Sequence, residues 1–291
     1  MLGLGSSITH NTLSEGIGHV NEIVGYSLHY DMSDASNLTA SVADGGDAPD
    51  NGDDVATITN LAYAVSGNDA FGKLASNTGG YATWNDSGYL DFSGDSNNYY
   101  KSNDNGVDTR VSVGNWSESD AVSTQLSIFI VYKPEAANDS EAQALLQLNG
   151  SVGAAGRYIQ IKNDIGDDPD HRTVQVYNQG TSGSTDNASD IYDESAAVTL
   201  FSMVGKSGAN TMIYKNGDTS DGITNFDQDT QAWDMSDAGL ALGCRSSSPD
   251  VAGLGDFFMG RIYEVLIYNQ DLSEESRTFI DNYLINKYSI S

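Results

Sequence analysis

The chain has 291 residues and a formal net charge of −28, from 41 acidic and 13 basic residues, and it contains one cysteine. The charge argues against a nucleic-acid partner and against insertion into an anionic membrane, because no run of Lys and Arg is present to contact phosphates. A single cysteine excludes an intrachain disulfide, and no stretch reaches the roughly 20 apolar residues of a membrane span. The 31 glycines and the abundant Asp, Asn and Ser favour many short strands joined by long loops.

The first 24 residues are apolar but have no regular period. Leu2, Leu4 and Ile8 lie among Gly and Ser, and the segment lacks the basic region and long apolar core of a signal peptide. It is too apolar for a linker and too irregular for a domain, so we expect an arm, residues 1–24. The arm either docks on a partner protein through these three side chains or wraps the sandwich. The opening also resembles the starts of structural proteins of tailed phages, particularly marine ones.

Residues 25–291 are predicted to form one domain built from strands. Stretches that alternate between apolar and polar residues, or are wholly apolar, predict strands at 26–31, 55–58, 89–94, 124–132, 144–148, 158–162, 173–177, 198–204 and 212–217. The last of these stretches ends at Asn216 and Gly217, a strong turn signal. Cys244 follows an apolar run and is expected to be a small buried residue of a strand.

The strongest predicted strand spans residues 262–268, and both of its faces are apolar. Strict alternation places Ile262, Leu266 and Tyr268 on one face and Tyr263, Val265 and Ile267 on the other. A strand that is apolar on both faces belongs inside a layered sheet.

A helix is predicted after this strand, beginning at Ser273. Ser273 can cap the first turn, while Glu274 and Glu275 complement the positive end of the helix dipole and Lys287 the negative end. An apolar stripe at helical spacing predicts packing on a sheet, with Phe279, Ile280, Tyr283, Leu284 and Tyr288 facing it. The opposite face, with Arg277, Asp281 and Asn282, is expected to be in water.

The ending resembles that of LamG-type domains, which belong to the concanavalin A-like lectins and glucanases. The matching pattern is Phe258-x-Gly260-x-Ile262-x-Glu264-Val265-x-Ile267-Tyr268-Asn269-x-x-Leu272-Ser273. The entry half matches at 52–55 and 90–94, whereas Ile58-Thr59-Asn60 departs from relatives that carry a Trp there. The resemblance implies an all-β fold: a two-sheet antiparallel jelly-roll sandwich with one C-terminal helix and the N-terminal arm.

Enzymatic activity is not expected. Glycosidases of this fold resemble one another in a Glu-x-Asp-x-x-Glu run that supplies a nucleophile and an acid, and this run is absent here. Glu264, the one carboxylate in the strongest strand, is predicted to make structural hydrogen bonds. The four His are scattered, no Gly-x-Ser-x-Gly motif occurs, and one Cys without paired His does not predict a zinc site.

Carbohydrate binding is the chemistry that the resemblance implies instead. Lectins of this fold stack aromatic rings on sugar C–H groups beside Asp and Asn hydrogen bonds. The candidates are aromatic residues near polar turns: Trp233 first, then Trp116, Tyr99, Tyr100 and Trp84, with Tyr177 as a further one. Most of the 16 Tyr and 3 Trp are expected to be core or rim residues.

Calcium is the one cofactor that the sequence suggests. Hard cations take several oxygen ligands from a flexible loop, and Asp/Asn clusters occur at 44–54, 103–108 and 163–170. The densest set contains Asp164, Asp167, Asp168 and Asp170, which are therefore the candidate ligands. The alternative is that these acidic loops are simply solvated.

The sequence favours a non-enzymatic virion structural protein of a tailed phage. It would be a capsid decoration, tail or fibre component that displays a lectin-like domain, is anchored through the arm to other virion proteins, and is assembled in the host cytoplasm. The alternative is a free carbohydrate-binding module or a cell-surface adhesin. A homo-oligomer is compatible with either hypothesis, but no coiled-coil repeat predicts one.

Overall fold

The structure is a computed structural model, and it describes residues 26–61, 74–76, 81–92, 100–101, 125–135, 143–149, 158–165, 172–179, 185–188, 197–206, 212–218, 239–244, 256–268 and 270–291. In these ranges the strands are β1 (Tyr26–Asp31), β2 (Leu38–Ala40), β3 (Val55–Ile58), β4 (Leu74–Ser76), β5 (Thr83–Asn85), β6 (Tyr89–Asp91), β7 (Tyr100–Lys101), β8 (Gln125–Pro134), β9 (Gln143–Asn149), β10 (Tyr158–Ile165), β11 (Arg172–Gln179), β12 (Thr185–Ala188), β13 (Thr199–Lys206), β14 (Met212–Lys215), β15 (Gly239–Leu242) and β16 (Gly260–Tyr268). Helix α1 (Glu274–Tyr288) follows β16.

The strands form two antiparallel sheets. The seven-stranded sheet has the order β14-β13-β8-β16-β6-β5, and β1 pairs with β16 beside this path. The nine-stranded sheet has the order β12-β11-β10-β9-β15-β7-β4-β3-β2. The predicted all-β, two-sheet antiparallel sandwich with a C-terminal helix is therefore confirmed. Within the described ranges, no helix is long and apolar enough to span a bilayer.

Strand β16 is the centre of the seven-stranded sheet. One of its edges pairs with β8, and its other edge pairs with β6 at residues 261–262 and with β1 at residues 264–268. Gly260, at the start of β16, has φ +149°, and a Cβ atom there would lie 2.4 Å from the carbonyl oxygen of Lys133. Glycine is thus required for β16 to approach β8 this closely.

The predicted faces of β16 were wrong at two residues. The pairing with β8 shifts between Ile262 and Glu264, so Tyr263 is an extra residue that changes the alternation. As a result Ile262 joins Val265 and Ile267 in the core between the sheets, and Tyr263 joins the opposite face, which packs under α1.

Buried apolar side chains from both sheets fill the sandwich. They include Leu28, Tyr30, Ile58, Leu90, Phe92, Tyr100, Ile130, Tyr132, Leu146, Phe201, Leu242, Phe258 and Val265. The rings of Phe92 and Tyr100 meet edge to face with centroids 5.9 Å apart. Cys244, which follows β15, is fully buried as predicted.

Helix α1 covers the outer face of the seven-stranded sheet. Ser273 accepts a hydrogen bond from the Ser276 N–H (3.2 Å), which confirms the predicted N-cap. Ile280 and Leu284 are buried against this face of the sheet, and the helix ends at Ser289 in the left-handed conformation. Asn282 is exposed as expected.

The prediction that Arg277 and Asp281 face water was wrong. The two side chains are 5% and 2% exposed and form an ion pair with each other. The Asp281 carboxylate also accepts a hydrogen bond from the Ser202 hydroxyl (2.5 Å), and the Arg277 guanidinium lies 3.9 Å from the Tyr214 ring centroid. These partners on β13 and β14 compensate for the loss of water, so a charged stripe packs beside the apolar one.

Candidate functional site

Two polar features stand out in the described residues. The first is a buried ionic cluster between β1, β16 and α1, formed by His29, Asp31, Glu264, Lys287 and Tyr288. The second is a surface at the edge of the sandwich around Trp84. They differ in exposure and in chemistry, so only one of them can meet a large ligand.

Alternation along β1 places part of the buried ionic cluster. Leu28 and Tyr30 point into the core between the sheets, so His29 and Asp31 point to the opposite face, towards α1. Asp31 pairs with Glu264 in the register of β1 and β16. Two carboxylates are thereby brought side by side under the helix.

Glu264 is fully buried and saturated with hydrogen bonds. His29 Nε2 lies 2.8 Å from Oε1, while Lys287 Nζ and the Tyr288 hydroxyl each donate to Oε2 at 2.7 Å. Burial, and then the charge of Glu264, raises the pKa of Tyr288, so its phenol stays protonated and donates. The predicted structural hydrogen-bonding role of Glu264 is confirmed.

Lys287 joins the two carboxylates. Its Nζ lies 2.8 Å from Asp31 Oδ2, and Asp31 Oδ1 accepts from the Ser33 N–H (2.9 Å) and hydroxyl (2.5 Å). Burial alone would raise the pKa of Asp31, but the Lys287 ammonium and the Ser33 hydrogen bonds outweigh it and lower that pKa. Burial alone would lower the pKa of Lys287, yet the carboxylates of Glu264 and Asp31 raise it.

The cluster has the composition of a metal site but already contains a cation. Ligand atoms of His29, Asp31 and Glu264 lie within 4.8 Å of one another, and no other such group of three occurs in the described part of the chain. The ammonium of Lys287 contacts both carboxylates and supplies the positive charge that a metal ion would bring. The arrangement is therefore suited to fixing α1 on the sheet.

The structure removes one residue from the predicted sugar-binding set. Tyr100 is 0% exposed, and its hydroxyl donates to the carbonyl oxygens of Val55 (2.8 Å) and Ala82 (3.3 Å). Its ring is a core residue that joins β7 to β3, so it offers no face to a sugar. The aromatic residue next to a polar turn was mistaken for a surface residue because short strand β7 was not predicted.

Trp84 stays a candidate of the sugar-binding set. It lies on β5, the edge strand of the seven-stranded sheet, is half-buried, and packs against the core. Its indole N–H donates to the Met32 carbonyl (3.0 Å). One part of the ring is thus anchored while another part reaches the surface.

Two further candidates have a described backbone, Tyr177 in β11 and Asp164 in β10, and the other predicted site residues lie outside what the structure describes. They are Tyr99, Trp116 and Trp233 of the sugar-binding set, Asp167, Asp168 and Asp170 of the calcium set, and Leu2, Leu4 and Ile8 of the arm. The backbone of Asp164 belongs to β10 and pairs with Thr173, so this residue continues a strand beyond its predicted end at 162. Calcium binding by residues 163–170 stays a prediction, as does the boundary of the arm.

Sequence reasoning missed most of the buried ionic cluster. A signal was present: His29 and Asp31 alternate with apolar residues in β1, and Lys287 adjoins the apolar stripe of α1. A polar face on a strand usually indicates solvent, so the pattern pointed outwards. Only the packing of α1 over β1 turns these residues into a buried set.

Comparisons with solved structures agree with the fold. The binding domain of Paraclostridial Mosquitocidal Protein 1 is similar with a TM-score of 0.56 over 92% of this chain, at 12% identity. The binding domain of botulinum neurotoxin serotype D/C VPI 5993 has a TM-score of 0.53 over 91% of this chain, at 11% identity. The serotype D domain in complex with N-acetylneuraminic acid has 0.50 over 90%, at 9% identity.

This chain spans about half the length of each of these binding domains, covering 54%, 53% and 51% of them. No protein-family model matches the sequence, and the search of curated proteins gave no match. The comparisons therefore establish a β-sandwich shared with toxin binding domains, and the resemblance to LamG-type domains stays a prediction.

Removal of the Lys287 charge is expected to destabilise the fold. Lys287→Met leaves Asp31 and Glu264 buried without the Lys287 ammonium, and we expect a loss of about 3 kcal/mol of unfolding free energy. This value is near the low end for broken buried ion pairs, because Lys287 is partly exposed. Urea unfolding measures this loss. The double variant Lys287→Met with Glu264→Gln should lose less unfolding free energy than the sum of the two single losses, because the two side chains interact. If Lys287→Met stays within about 0.5 kcal/mol of wild type, the stabilising role of the cluster is contradicted.

The lowered pKa of Asp31 predicts an acid-sensitive contribution to stability. Because the folded-state pKa is below the ordinary value of 3.8, the stabilisation is present above about pH 4 and is lost as the pH falls through the folded-state pKa. Burial raises the pKa of Asp281, which acts in the opposite direction.

The Asp31→Asn variant isolates the contribution of Asp31 from that of Asp281. Its unfolding free energy should fall less steeply below pH 4 than that of wild type in urea titrations at successive pH values. Asp34→Asn, at an exposed position nearby, is the matched control. Superimposable acid limbs for wild type and Asp31→Asn would show that this carboxylate is not held ionised by Lys287.

Proposed function

We propose that the chain is a non-catalytic, lectin-like module that binds carbohydrate. The observation that supports this most strongly is the similarity of nine-tenths of the chain to toxin binding domains, one of them in complex with N-acetylneuraminic acid. Since this chain corresponds to about half of those domains, the proposal takes from them a ligand class and no ligand position.

The arrangement of carboxylates favours binding over hydrolysis. A glycosidase needs two carboxyl groups that reach the substrate on either side of the bond. Asp31 and Glu264 adjoin each other but are joined by Lys287, and Glu264 is 0% exposed beneath α1. A sugar would have to displace the helix to reach them.

The sequence supports a finer proposal, that this module is displayed on a tailed-phage particle. Its supports are the apolar segment 1–24 and the likeness of the opening to phage structural proteins. In this proposal the arm anchors the module to other virion proteins, and the loops face outward for adhesion or particle stabilisation. The alternative is a free lectin or an adhesin, which would bind glycans without a particle.

A glycan array tests the proposed function. The full chain, fluorescently labelled, should bind a subset of immobilised oligosaccharides, with competition by the same sugar in solution. The same preparation should release no reducing ends from that sugar, because Asp31 and Glu264 are joined by Lys287 and covered by α1. Absence of binding across neutral, amino and acidic glycans would overturn the proposal, and turnover of the bound sugar would overturn its non-catalytic part.

Deletion of residues 1–24 separates the virion proposal from the free-lectin alternative. If the arm anchors the module, the truncated chain should keep its thermal unfolding midpoint and its glycan binding. It should no longer co-sediment with the phage particles that the full chain binds. Equal co-sedimentation of the truncated and full chains would contradict anchoring through the arm.

A further inference from the structure

The Trp84 surface, which consists of Trp84 and the exposed residues Asn51, Asp86 and Ser87, lies where the edge strand β5 of one sheet meets the segment that leads into β3 of the other. Strand β5 ends the seven-stranded sheet, and Asp54, just before β3 of the nine-stranded sheet, forms a bridge with Thr83 of β5. Two backbone hydrogen bonds join the segments: the Gly52 backbone N–H donates to the Trp84 carbonyl (2.8 Å), and the Trp84 backbone N–H donates to the Asp53 carbonyl (2.9 Å). Loop 50–54 is therefore held against the edge strand that carries the indole.

The turn after β5 is fixed from two sides. The Asp86 N–H donates to Asn51 Oδ1 (3.1 Å), the Ser87 N–H donates to Asn85 Oδ1 (2.9 Å), and Gly88 closes the turn at φ +81°. A Cβ atom on Gly88 would lie 3.1 Å from Cα and Cβ of Ser33. The polar side chains beside the indole are thus carried on backbone that is already ordered before a ligand binds.

This combination of groups is suited to a sugar. A half-buried indole with its N–H already bonded offers apolar ring surface, whereas amide, carboxylate and hydroxyl groups beside it can exchange hydrogen bonds with hydroxyls. Because Asn51 Oδ1 already accepts from Asp86, the Asn51 amide nitrogen is the group that would donate to a ligand oxygen.

Negative charge predominates in the described segments around this surface. Residues 26–61 and 81–92 contain nine Asp and no Glu, Lys or Arg. Asp31 pairs with Lys287, and Asp91 lies 3.7 Å from Arg261. No Lys or Arg of the described ranges forms an ion pair with the remaining seven, which are Asp34, Asp44, Asp47, Asp50, Asp53, Asp54 and Asp86.

The neighbouring carboxylates contribute to a raised pKa at Asp54. Burial, and then the charges of Asp44 and Asp53, raise the pKa of Asp54. An additional anion at this edge would meet the same repulsion, which acts over a Debye length of about 8 Å at physiological ionic strength.

We infer that the Trp84 surface is the ligand site of this module, and that it selects neutral or amino sugars and rejects sialylated and other acidic ones. The inference rests on the proposed carbohydrate-binding function and goes further by assigning the position and the charge class of the ligand. It also sets this chain apart from the botulinum serotype D domain, whose complex contains an acidic sugar.

The test uses the full chain with lactose and 3′-sialyllactose as a pair that differs by one sialic acid, together with neutral and amino oligosaccharides on the same array. Binding should be confined to neutral and amino glycans at 150 mM NaCl. Trp84→Ala should weaken it roughly tenfold or more, as for an aromatic residue at the centre of an interface, while Trp84→Phe should keep part of it.

Charge selection has its own variants. Asp86→Asn should raise the affinity for 3′-sialyllactose relative to lactose, and 500 mM NaCl should reduce the discrimination of wild type. Glu275→Gln removes the same charge from an exposed position on α1 and should leave the ratio unchanged. If thermal unfolding shows that Trp84→Ala is not folded, Ser87→Ala, which alters an exposed side chain, should show the loss of affinity.

Each outcome separates this inference from the proposed function. Preferential binding of sialylated glycans, or loss of binding on Trp116→Ala or Trp233→Ala with none on Trp84→Ala, would overturn the Trp84 site and leave a lectin. Failure of wild type to bind any glycan would overturn both.

Discussion

The ammonium group of Lys287 compensates two carboxylates that the seven-stranded sheet buries beneath the C-terminal helix. Glu264 comes from the central strand β16, whereas Asp31 comes from β1, near the start of the described chain. The Lys287 side chain therefore joins α1 to both β1 and β16. Without this cation the two carboxylates would repel each other at a position with little access to water. The outer layer of the fold depends on this contact.

The same network extends towards the edge of the sandwich. Asp31 fixes Ser33 through two hydrogen bonds, and Ser33 packs against Gly88 in the turn beside Trp84. The residue between them, Met32, donates its N–H to the Tyr263 carbonyl and accepts the Trp84 indole N–H. Thus the buried ionic cluster is structural, and its backbone neighbours support the surface that we assign to the ligand.

Much of the fold could be predicted from sequence because periodicity reports burial directly. The longer strands and α1 were recognised from apolar alternation, the N-cap at Ser273 and the apolar helical stripe. Short strands β2, β4, β5, β7 and β12 were missed, since two to four residues give too little pattern and their pairing is set by distant partners. The bulge at Tyr263 was missed for a similar reason: an extra residue is visible only against the partner strand.

The candidate sites were harder to predict, because a polar residue on an amphipathic element has two readings. Arg277 and Asp281 have the spacing of a solvated helix face, and Lys287 lies in the last turn of α1. Yet all three are paired beneath or beside the helix. Tyr100 and Trp84 both adjoin polar turns, but one is a core residue with a bonded hydroxyl and the other reaches the surface. Tertiary contacts decide between these readings, and sequence spacing does not contain them.

The most direct test of the account is an NMR titration that follows the indole N–H signals of the three Trp, assigned by single Trp→Phe variants. With a neutral oligosaccharide selected on the array, the account predicts a saturable shift of the Trp84 signal, with the Trp116 and Trp233 signals unchanged. A shift confined to Trp116 or Trp233, or no shift of any indole at saturating sugar, would contradict it.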